Sequence, residues 1–80
     1  MKITKSFEKS NIILKLSGRL DTVTEASFRE ELGLIDFSSL EEMTLDFKEL
    51  SYISSVGLRV LLSLKKKMGE RPLHVINVNE

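Results

Sequence analysis

Ser54 and Ser55 stand in the run Asp46-Phe47-Lys48-Glu49-Leu50-Ser51-Tyr52-Ile53-Ser54-Ser55-Val56-Gly57-Leu58, where strand composition gives way to helix composition. A serine at such a junction can cap the helix, its oxygen accepting a backbone N–H of the first turn. Its neighbour is then presented to solvent. A phosphate on that neighbour would face unpaired N–H groups and the positive end of the helix dipole. Gly57, inside the first turn, costs helix propensity, which is expected where something must approach the backbone closely. The second candidate is Asp21, at the carboxyl end of the strand before the first helix. Functional loops gather at that end of parallel strands, so Asp21 is predicted to lie beside the serine pair.

Other chemistries fare worse. A nucleophilic serine needs a base and an acid that orients it. His74 is the only histidine and falls in a strand, where it is expected to be structural, so no catalytic residue and no enzyme activity are expected. One histidine and no cysteine leave no zinc site. No Gly-x-x-x-x-Gly-Lys-Ser/Thr loop is present, and no metal or cofactor is expected. Lys65-Lys66-Lys67 with Arg71 is expected to be a solvated helix end, and Glu41-Glu42 a solvated loop.

The elements that must position these residues follow from periodicity. Residues 2–8 alternate weakly and predict an edge strand. Lys9-Ser10-Asn11 is a hairpin turn. Residues 11–18 predict a strand with Ile12, Leu14 and Leu16 on one face, broken at Gly18-Arg19-Leu20-Asp21. Thr22-Val23-Thr24-Glu25 has the form of a capping box, Thr22 and Glu25 exchanging bonds. It predicts a helix over 23–33 that packs Val23, Ala26, Phe28, Leu32 and Ile35 and stops at Gly33. Residues 37–42 predict a loop. Met43, Leu45 and Phe47 point inward from a strand whose outward positions are Thr44, Asp46 and Lys48. A helix packing Val56, Val60, Leu61, Leu64 and Met68 ends at Gly69. Residues 72–78 form the last strand. The order is β-β-α-β-α-β. Right-handed crossovers that add strands to one side put both helices on one face of a mixed four-stranded α/β sheet.

The chain has 80 residues, enough for a single domain spanning 1–80. Twelve basic and twelve acidic side chains cancel, so there is no basic footprint for nucleic acid. Every apolar run is too short for membrane insertion, and Met1-Lys2-Ile3-Thr4-Lys5 begins no signal peptide. A cytoplasmic protein is expected.

Three stretches together resemble the STAS domain of bacterial anti-sigma-factor antagonists. Leu16-Ser17-Gly18-Arg19-Leu20-Asp21 is similar to the family's L-x-G-x-L-D element. Leu45-Asp46-Phe47-Lys48-Glu49-Leu50 is similar to its L-D-hydrophobic-x-x-L strand. Tyr52 through Leu62 is similar to its signature, with a serine two positions before Gly57. The resemblance implies that Ser55 is the phosphoacceptor and that Ser54 stands where kinase-regulated members often carry aspartate. It implies partner contacts through Asp21, Ser54, Val56, Gly57, Leu58 and Arg59. The partner would be an anti-sigma factor or serine kinase, and phosphorylation of Ser55 would block it, so that the protein regulates transcription. An alternative is a constitutive scaffold subunit, for example of a transport complex, that needs no phosphate. Members usually carry one more helix after the last strand. Its lack predicts uncovered apolar surface at Val75, Ile76 and Val78, and a homodimer through that edge.

Overall fold

In the computed structural model, which describes residues 1–78, the elements follow the predicted order. They are β1 (Lys2–Glu8), β2 (Asn11–Leu20), α1 (Glu25–Gly33), a 3-10 turn (Phe37–Ser39), β3 (Glu42–Ile53), α2 (Ser55–Met68) and β4 (Leu73–Ile76). Residues 79 and 80 of the expected 1–80 unit lie outside the described residues. The sheet order is β1-β2-β3-β4, with β1 antiparallel to β2 and the other pairs parallel. Lys9, at φ 55°, turns the β1–β2 hairpin.

The alternation in β2 and β3 builds the core. Ile12, Leu14, Leu16, Met43, Leu45 and Phe47 face the helices and are buried. Phe28 and Leu32 of α1 and Val60, Leu64 and Met68 of α2 close over them. Thr44, expected outward, is nonetheless buried, its hydroxyl donating to Asn11 Oδ1 at 3.5 Å on the face without helices.

Three boundaries differ from expectation, each for a physical reason. First, β3 does not end near Lys48 but runs to Ile53. Two register shifts against β2 put an extra β3 residue between Asp46 and Glu49 and another between Leu50 and Tyr52. A bulge breaks alternation without ending the strand. Lys48 and Glu49 are therefore both exposed while Leu50 returns to the core. Asp46 Oδ1 accepts the Lys48 N–H at 3.0 Å at the first bulge, and Ser51 Oγ donates to the Gly18 carbonyl at 2.9 Å at the second. Second, β2 passes through Gly18 to Leu20, because Gly18 takes φ 103°, a conformation that suits glycine. Third, α1 starts at Glu25 without the Thr22–Glu25 capping box. The Glu25 N–H expected at Thr22 goes instead to the Asp21 backbone carbonyl at 2.9 Å, while the Asp21 carboxylate takes the N–H groups of Val23 and Thr24 just before the helix. Val23, expected in the apolar stripe, is consequently outside the helix and 84% exposed.

Arg71 ties the end of α2 to the loop before β3. Its guanidinium donates to the carbonyls of Phe37, Leu40 and Lys67, and its Nε to that of Met68. The 3-10 turn that this anchors buries Phe37. β4 is shorter than expected, ending at Ile76 before Asn77 turns to φ 57°. Val75, Ile76 and Val78 are exposed.

Candidate functional site

The carboxyl ends of β2 and β3 carry the two predicted loops. Leu20 pairs with Ile53 across the sheet. The next residue, Ser54, donates its N–H to the Leu20 carbonyl at 2.9 Å. That bond sets the Asp21 loop beside the start of α2. Gly57 seals the junction. A Cβ there would lie 2.8 Å from Leu20 Cγ and 2.9 Å from the Leu20 carbonyl oxygen. Only a glycine lets the first turn of α2 approach β2 so closely.

The two serines divide the work. Ser54 is the N-cap, with extended backbone at ψ 172°, and its Oγ accepts the Gly57 N–H at 3.2 Å. Ser55 is the first residue of α2 and is exposed. Among the described residues, no hydrogen bond holds its hydroxyl. A group attached there sits at the positive end of a 14-residue helix.

Asp21 organises its own loop. Its Oδ1 accepts the N–H of Val23 at 3.0 Å and of Thr24 at 3.2 Å. Its Oδ2 lies 3.3 Å from Arg19 Nε. Thr24 Oγ1 accepts the Asp21 N–H and donates to the Arg19 carbonyl at 2.7 Å. Partial burial raises the Asp21 pKa, but the hydrogen bonds from Thr24, Val23 and Arg19 outweigh it and hold the carboxyl below its ordinary range. Asp21 thus reaches the site by shaping the loop, with its oxygens engaged.

Of the remaining predicted residues, Val56 is half-buried, Gly57 is buried, and Leu58 and Arg59 are exposed on the first turns of α2. The structure adds a neighbour that alternation alone does not single out. Arg19 and Tyr52 are cross-strand partners, and the guanidinium lies 4.3 Å from the Tyr52 ring centroid. Arg19 is therefore clamped between an aromatic face and the Asp21 carboxylate. The second β3 bulge creates this pairing, and the sequence marks that bulge only by its broken alternation.

His74 is far from this edge. It pairs with Thr44 near the start of β3, whereas Ser55 follows the end of β3. Its Nε2 lies 3.8 Å from Glu42 Oε2 on the open face. It cannot serve Ser55 as a base. Among the described residues, no group of three or more histidine, cysteine or acidic side chains could hold a metal ion, and no helix is long and apolar enough to cross a membrane.

Comparison with known proteins agrees with this geometry. The STAS domain family model matches residues 2–79. The anti-sigma-F factor antagonist RsfB of Mycobacterium tuberculosis is 22% identical over 82 residues, covering 85% of this chain and 67% of the relative. The crystal structure of an anti-sigma factor antagonist from Mycobacterium paratuberculosis superposes with a TM-score of 0.83 at 21% identity, covering 92% of this chain and 64% of that one. The anti-sigma factor antagonist SpoIIAA, in its unphosphorylated form, superposes with a TM-score of 0.81 at 16% identity, covering 99% of this chain and 76% of that one. The chain thus spans about two thirds of the length of its mycobacterial relatives.

Proposed function

Because the chain belongs to the STAS domain family, we propose that it is a non-catalytic anti-sigma-factor antagonist, switched off by phosphorylation of Ser55. It acts in the bacterial cytoplasm by binding an anti-sigma factor that is itself a serine kinase, and so regulates transcription. The observation that carries this reading is the division between the serines: Ser54 spends its hydroxyl on the cap while Ser55 offers an exposed one. The antagonist names of its relatives support the reading, as does the description of SpoIIAA by its phosphorylation state. Ser54 in place of the frequent aspartate suits it, since serine and aspartate are both strong N-caps.

The partner docks over the Asp21 loop, Ser54 through Leu58, and Arg59. Leu58 and Tyr52 give this edge exposed apolar surface, and Arg59 gives it positive charge, Arg19 being balanced by Asp21. A phosphate adds about −1.5 to −2 charges there. It must then be desolvated beneath the partner, which disfavours the complex.

The test combines mass spectrometry and calorimetry. After incubation with the anti-sigma kinase encoded in the same genome and ATP, the added phosphate should map to Ser55. Ser55→Ala should bind that partner as the parent does, and Ser55→Asp at least tenfold more weakly. A partner that binds Ser55→Asp as tightly as the parent rules out the switch and leaves a constitutive scaffold.

A further inference from the structure

We propose that the groove between α1 and α2 is a binding site for a small amphipathic anion, an apolar chain or ring ending in a carboxylate. The groove has a volume of about 210 Å³. Its floor is apolar, made by Leu32, Phe37, Val60 and Leu64. Its rim carries two cations, Arg29 from α1 and Lys67 from α2. Lys67 Nζ is held 4.5 Å from the Phe37 ring centroid, at the edge of the apolar floor. Glu25 pairs with Arg29 through Nε at 2.7 Å and Nη2 at 3.2 Å, so these three groups sum to one positive charge. An apolar floor below a net positive rim suits a ligand with an apolar body and a single negative head. The volume is below the roughly 300–1,000 Å³ of sites for drug-sized molecules, which points to a medium-length chain or one aromatic ring. The site is separate from the proposed switch. It lies against the later turns of α2, whereas Ser55 begins that helix.

Gly33 provides an unusually clean test. It lines the groove, its φ is not in the left-handed region, and a Cβ built there meets nothing within 4 Å. Gly33→Leu should therefore fill space without straining the fold. The experiment is an amide-resolved NMR titration of the whole chain with decanoate below its micelle concentration. Decanol and decyltrimethylammonium serve as neutral and cationic counterparts. Saturable shifts confined to residues lining the groove are expected, with decanol and decyltrimethylammonium each binding at least about tenfold more weakly. Lys67→Glu should weaken decanoate about tenfold or more, and Gly33→Leu should abolish its binding while melting at or above the parent temperature. The proposal is overturned if the shifts fall instead on Val23, Leu62 or Val75. It is equally overturned if decanol matches decanoate, or if a folded Gly33→Leu protein binds as the parent does.

Discussion

Gly57→Ala should destabilise the protein through one identifiable contact. The added methyl would lie 2.8 Å from Leu20 Cγ, 2.9 Å from the Leu20 carbonyl oxygen and 3.2 Å from Ile53 Cγ2. Leu20 has no exposed surface, so it cannot swing aside. Its carbonyl is fixed by the Ser54 N–H, so it cannot tilt without losing a 2.9 Å hydrogen bond. The first turn of α2 must lift instead. Overpacking of this kind costs about 1–3 kcal/mol. Alanine returns at most about 1 kcal/mol of helix propensity, and less in the first turn. The net loss is about 1–2 kcal/mol, which for a domain this size lowers Tm by roughly 4–16 °C. Thermal melting by circular dichroism reads it directly. Gly33→Ala is the matched control, because the same methyl meets open space there and should leave Tm unchanged or raise it slightly. If Gly57→Ala melts no lower than the parent, close approach of α2 to β2 is not what glycine provides at position 57.

The α2 cap and three hydrogen-bonded aspartates give two further outcomes. Ser54→Ala removes the oxygen that caps Gly57 and should cost about 1 kcal/mol in urea unfolding, while a kinase still modifies Ser55. Asp21, Asp36 and Asp46 should all titrate below the ordinary aspartate value of 3.8 in an NMR pH series. For Asp21, hydrogen bonds outweigh the opposing effect of burial. For Asp36 the main cause is the Ser38 hydroxyl, and for Asp46 the Asn77 amide. Because folding lowers these pKa values, their stabilisation is complete above the unfolded value and is lost as pH falls through the folded ones. Stability should thus decline below about pH 4, and Asp46→Asn should flatten part of that decline.

The strand and helix order, the sheet topology and the side-by-side placement of the two loops were legible because hydrophobic period reports burial face. Ile12, Leu14 and Leu16 alternate, and so do Met43, Leu45 and Phe47, and all six are buried. Period fails where the backbone steps out of phase. Lys48-Glu49 looks like a strand end, yet it is a bulge whose extra residue only the partner strand defines. The capping motif misled for a different reason. Thr22 and Glu25 have the right spacing, but the Asp21 carboxylate gathers the N–H groups of Val23 and Thr24 into its own turn, and that turn delivers the Glu25 N–H to the Asp21 carbonyl. Arg71 follows three lysines in sequence and reads with them as a solvated helix end. Its carbonyl partners at Phe37 and Leu40 lie more than thirty positions earlier, beyond the reach of local pattern. The serine pair was legible as a cap and a presented hydroxyl. Which serine did which depended on the ψ of Ser54 and its bond to Gly57.

If Ser55 is the switch, the phosphate should abolish partner binding without loosening the fold, and these effects can be separated. A phosphate on the first residue of α2 lies among the unpaired N–H groups of a 14-residue helix, where negative charge is favourable by about 0.3–1 kcal/mol. Arg59, four residues on and exposed, faces the same side and can pair with it. The chain carries twelve charges of each sign, so no net negative field opposes the added group. Both local terms therefore favour the phosphorylated helix. Melting of the phosphorylated chain should occur at the parent Tm or a few degrees above it. Arg59→Gln should remove part of any gain without restoring binding. A phosphorylated protein that melts well below the parent would mean that the switch works by unfolding the start of α2. The charge-and-desolvation account of the blocked interface would then be wrong, even with Ser55 as the modified residue.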